Sequence, residues 1–108
     1  MNMPRVVVTG MGTVNPLGLD VEEFWQGLAA GKSGIGPITC FDASKFYVKV
    51  DAEVKGFEPS KYMDLKVMDR NPRAVHLAIA ATQEAVKSAQ FVSGLGCSQR
   101  VGTSIGAM

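Results

Sequence analysis

Cysteine, histidine and aromatic side chains are scarce in this 108-residue chain, and each scarcity excludes a class of function. Two cysteines, Cys40 and Cys97, are too few and too unpatterned for a disulfide framework or a zinc site. The single histidine, His76, is the only imidazole that a Cys-His pair could use. Aromatic residues make up 7% of the chain, which leaves no platform for stacking bases. Charge of one sign is lacking too. Eleven basic side chains face ten acidic ones, so no basic field points to nucleic acid or to an anionic membrane surface. No apolar run approaches the roughly eighteen residues of a spanning helix. The opening Met1-Asn2-Met3-Pro4-Arg5 lacks the long apolar stretch of a signal peptide. Internal repeats and low-complexity tracts are absent. The expected compartment is a reducing cytoplasm, with no membrane or nucleic-acid partner.

What is present is a soluble, 46% hydrophobic chain of one domain at most. A body of this size buries roughly 65% of the surface that its unfolded form exposes, so the core is modest. Val6-Val7-Val8-Thr9 is a continuous β-branched run and predicts a strand buried on both faces. Gly10-Met11-Gly12 stops it. Asp20 followed by Glu23 is a capping-box pattern with Leu19 and Phe24 at the staple positions. The helix it opens carries an apolar stripe of Val21, Phe24, Trp25 and Leu28 and ends at Gly31. Residues 41–46 read as a turn or short helix. Val48, Val50, Ala52 and Val54 alternate with charged residues, the period of a half-buried edge strand. Pro59-Ser60 begins a short helical segment through Met68.

The longest predicted helix is capped by Asn71, has Pro72 at its first position and runs to about Gln90. Val75, Ala78, Ile79, Thr82, Ala85, Val86 and Ala89 share one of its faces, and the alanines there permit close approach to a neighbour. Gly94 and Gly96 break the pattern, and residues 100–106 read as a second sheet strand.

Few residues invite a chemical reading. Gly10-Met11-Gly12 lacks the third glycine of a dinucleotide fingerprint, because Asn15 holds that position, so the turn is expected to be structural. Gly31-Lys32-Ser33 resembles the end of a phosphate-binding loop. Only three residues separate Gly27 from Gly31, however, and the triplet lies at the wrong end of a helix. His76 is expected on a partly exposed helix face with Gln83 and Lys87. Neither Cys40 nor Cys97 lies at a helix N-terminus, where a thiol pKa would fall. No Ser-His-Asp order, carboxylate pair or metal-ligand spacing stands out, so no catalytic, cofactor-binding or metal residue is assigned.

Taken in order, several segments resemble the β-ketoacyl-acyl carrier protein synthases, most closely the synthase II type. They are Arg5-Val6-Val7-Val8-Thr9-Gly10-Met11-Gly12, Asn15-Pro16-Leu17-Gly18, Phe24-Trp25 with Leu28, Gly31-Lys32-Ser33-Gly34-Ile35, Phe41-Asp42-Ala43-Ser44, the stretch from Ala52 to Phe57, the stretch from Leu77 to Ala85, and Arg100-Val101-Gly102 with Ile105-Gly106. The similarity covers essentially all 108 residues. The sequence departs from the pattern before the long helix, where Asn71-Pro72 replaces the usual Met-Asp and Met68-Asp69-Arg70 stands three residues earlier.

The resemblance implies an α/β fold: the incomplete N-terminal part of a thiolase-like body with a mixed five-stranded sheet and helices on both faces. Residues 1–108 would form a partial N-terminal synthase domain. The implied reaction of the whole enzyme is decarboxylative condensation, in which a cysteine takes an acyl chain from acyl carrier protein. Malonyl-acyl carrier protein then supplies the attacking carbanion, with two histidines stabilising the thioester oxygen. The family's reactive-cysteine motif and its histidines match no position here, and Cys40, Cys97 and His76 do not take those roles. The chain stops just short of the family's acyl-pocket Gly-Ile-Gly segment. By itself it is expected to be inactive, and to fold poorly or to associate through unpaired edges. No cofactor is implied; a homodimer and acyl carrier protein partners are. Two other readings stay open: a polyketide ketosynthase or its catalytically silent chain-length partner, and a small binding module sharing the strand-turn-helix opening.

Overall fold

A computed structural model describes residues 2–91 and 100–107. Gly94, Gly96 and Cys97 lie outside the described residues. Helices α1 (Val21–Ala29), α2 (Leu65–Arg70) and α3 (Arg73–Ser88) form the frame, with a 3-10 turn at Pro59–Lys61. A small antiparallel pair joins β1 (Gly36–Pro37) to β2 (Val50–Asp51), with Gly36 opposite Asp51 and Pro37 opposite Val50.

Helix α1 forms where its caps place it. The Asp20 carboxylate accepts from the Glu23 amide at 2.7 Å, and Glu23 Oε2 accepts in turn from the Leu19 amide at 2.8 Å. At the other end Gly31, at φ +67°, lets its own amide reach the Leu28 carbonyl and the Lys32 amide reach that of Gly27. Those two bonds are the Schellman closure that a left-handed residue permits. The apolar stripe of α1 is only partly covered, however: Val21 and Phe24 are half-buried, Trp25 is 64% exposed, and the buried residue of the helix is Gly27, which lies against Leu17.

Helix α3 begins one residue later than its sequence signals suggest. Pro72 is its N-cap, and Asn71 serves the preceding helix instead, donating from Nδ2 to the Val67 carbonyl at 2.8 Å. The segment from Pro59 onward divides into the 3-10 turn and α2, because Asp64 accepts from the Val67 amide and starts a new helix. Gln90 closes α3 in a left-handed conformation at φ 53°, and the Phe91 amide returns to the Val86 carbonyl.

The strand expectations need correction. Residues 6–9 form no strand and pair with no other segment among the described residues, and Val6 is 93% exposed. Residues 100–106 form no strand either. A doubly buried strand exists only where ladders on both edges and layers on both faces receive it, and nothing described in this chain supplies them. The alternating run at 48–55 contributes just Val50–Asp51 to a strand, with both residues exposed, consistent with an excursion at an edge. Residues 43–46 close a turn through the Phe46 amide and the Ala43 carbonyl. The described residues thus contribute helices and one short hairpin to an α/β architecture.

Three surfaces meet at α3. Its His76 and Ala80 side is covered by the excursion from Val54 to Arg70, where Phe57 stacks on Tyr62 at 5.4 Å between ring centroids. Arg73 ties this layer down, donating from Nη2 to the Val54 carbonyl at 2.9 Å. The Ala81, Ala85 and Ala89 side receives the segment Gly10-Met11-Gly12. The remaining side, with Val75, Ala78 and Ile79, faces a groove whose far wall is residues 105–107.

Candidate functional site

Each residue with chemical potential is held in a separate place. Gly10 and Gly12 lie directly against α3. A Cβ on Gly12 would stand 2.8 Å from the Ala85 nitrogen, and one on Gly10 would stand 2.8 Å from the Ala89 Cβ. These glycines let one backbone lie directly on another, which is the use of a residue without a side chain. The Gly31 and Lys32 amides are likewise spent. They close the end of α1, so they are not available to cradle a phosphate.

His76 differs from expectation. It is 9% exposed, not on an open helix face, and its Nε2 donates to the Met68 carbonyl at 3.1 Å. A carbonyl only accepts, so this contact fixes the proton on Nε2 and makes the ring a brace between α2 and α3. Helical periodicity placed His76 opposite the valine and isoleucine stripe. The excursion before α2 covers that opposite side.

Cys40 sits beside Glu53 in the hairpin. Glu53 accepts from the Thr39 hydroxyl at 2.6 Å, the Thr39 amide at 2.9 Å and the Cys40 amide at 3.0 Å. Those donors, the Thr39 hydroxyl first, hold its carboxyl at about 2, well below the usual 4.5. The same carboxylate raises the Cys40 thiol, chiefly as its hydrogen-bond acceptor, with a little desolvation and the negative charge adding to the effect. A thiol with a raised pKa offers less thiolate, so the Glu53 contact lowers the reactivity of Cys40.

Two consequences of this cluster are measurable. The Glu53 ties are complete above about pH 4.5 and are lost as the pH falls towards about 2, because the carboxyl must protonate to release its donors. Amide shifts of Thr39 and Cys40 followed by NMR should therefore titrate near 2. Glu53→Gln keeps an acceptor oxygen but removes the charge, so alkylation of Cys40 by iodoacetamide at pH 8 should rise about threefold or more, read by peptide mass spectrometry. An unchanged rate would show that Glu53 does not control the thiol.

Sequence reasoning missed Glu84. Its Oε2 accepts from the Thr13 amide and its Oε1 from the Val21 amide, both at 2.9 Å. One carboxylate thereby joins the glycine segment to the first amide of α1, where a negative charge complements the helix dipole. The available signal was a lone acidic residue among Ala80, Ala81 and Ala85. Gln83 performs a similar tie towards the excursion, donating from Nε2 to the Tyr62 carbonyl at 2.8 Å.

Among the described residues, no three His, Cys, Asp or Glu side chains converge as a metal ion requires. Nor is any helix among them long and apolar enough to cross a membrane. The arrangement can position helices and present apolar surface. His76, Cys40 and Glu84 are each engaged in a different structural contact and form no joint centre.

The family model for the beta-ketoacyl synthase N-terminal domain matches residues 3–108. The chain is 41% identical over 102 residues to a 3-oxoacyl-[acyl-carrier-protein] synthase 2 of Synechocystis, covering 94% of this chain and 24% of that protein. It is 41% identical over 107 residues to the corresponding synthase 2 of Coxiella burnetii, covering 99% of this chain and 26% of that protein. Among solved structures it is similar to the ishigamide ketosynthase/chain length factor, with a TM-score of 0.72 and 40% identity, over 80% of this chain and 21% of that one. The chain spans about a quarter of the length of the curated relatives it matches.

Proposed function

Because this chain belongs to the β-ketoacyl synthase family through its N-terminal domain, we propose that it serves decarboxylative condensation of an acyl thioester with malonyl-acyl carrier protein, as in fatty acid elongation. The observation that carries this reading is the 41% identity to a synthase 2 sustained over 107 residues. Its partner is acyl carrier protein, its setting the cytoplasm, and its assembly a homodimer of the whole enzyme. The part played by residues 1–108 is structural: α3 and its glycine-segment contacts form a scaffold, and no side chain of the chain is the acyl acceptor. The raised pKa of the Cys40 thiol beside Glu53 agrees with that assignment.

A chimera tests the proposal. Residues 2–108 replace the matching quarter of the Coxiella burnetii relative, and condensation of acyl- with malonyl-acyl carrier protein is assayed. Activity within about tenfold of the parent, a difference of about 1.4 kcal/mol in barrier, is expected. A folded chimera without activity overturns the reading. The isolated chain, incubated with acyl-acyl carrier protein, should keep its unmodified mass; stoichiometric acylation of Cys40 or Cys97 contradicts the structural role.

A second reading is favoured by one observation, the likeness to the ishigamide ketosynthase/chain length factor. On that reading the chain belongs to a polyketide ketosynthase or its chain-length partner. A chimera that works only when built into a polyketide ketosynthase would select it.

A further inference from the structure

We draw no further inference here: the strongest candidate, the mixed-charge cleft where Asp20 at the start of α1 and Lys61 and Tyr62 of the excursion meet Gln83, Glu84 and Lys87 of α3, has both Glu84 oxygens, one Asp20 oxygen and the Gln83 amide nitrogen already bonded within the chain, and nothing in the structure shows what would bind there.

Discussion

Gly12→Ala is expected to detach the glycine segment from α3 at a cost of about 3 kcal/mol, the upper part of the range for overpacking a tight contact. The added methyl would meet the backbone of α3: the Ala81 carbonyl first, then the Ala85 nitrogen at 2.8 Å and the Ala81 carbonyl carbon at 2.9 Å. Side chains at those positions are already alanine, so trimming them to glycine removes nothing that clashes. The helix and the segment must move apart, and the Thr13 amide then leaves Glu84. Gly106→Ala is the control, because a Cβ there meets nothing within 4 Å. It should change stability by no more than about 0.5 kcal/mol. Thermal unfolding of the chimera and hydrogen exchange at Thr13 check the pair. Equal behaviour of the two variants would mean that the close approach is not a constraint.

The second large effect is expected at Glu84. Glu84→Ala leaves the Thr13 and Val21 amides without their shared acceptor, in a part-buried position where water replaces it incompletely. A hydrogen bond to a charged group contributes about 1.5–3 kcal/mol, so losing two should cost about 3 kcal/mol after partial resolvation. Glu84→Gln retains one acceptor oxygen and turns an NH₂ towards the second amide, so its cost should fall between those of wild type and alanine. Exchange at Thr13 and Val21 should accelerate together in Glu84→Ala, by roughly a hundredfold if about 2.7 kcal/mol of local protection is lost. Acceleration of one amide without the other would show that the carboxylate does not act as a single bridge.

These two positions also show what could be read in advance. The glycines at 10 and 12 are visible in the sequence, and so is the alanine side of α3, but their contact is not. Nothing in a glycine's neighbours specifies which helix will lie against it. Glu84 carries no local signal that sets it apart from the other acidic residues. Its role depends on Thr13 and Val21, 71 and 63 residues earlier in the chain. His76 was misplaced for a related reason. Its periodicity was read correctly, but the side of α3 that this chain covers is not the side with the most apolar residues.

By itself the sequence determined the local features: the Asp20 and Glu23 caps, the Gly31 closure of α1 and, within one residue, the start of α3, while at 41–46 it left a turn and a short helix both open. It also carried the family, since the order of its motifs resembles the synthases over the whole chain. A helix closes its hydrogen bonds within four residues, so its limits are written nearby. A strand is different. Residues 6–9 have the composition of a doubly buried strand, yet a ladder needs partners at any distance along a chain, and none is described here. Tertiary structure alone decided that these valines stand open, that His76 is buried against Met68, and that Glu84 joins three segments. Each of these outcomes depends on residues far apart in sequence meeting in space, which no local pattern encodes.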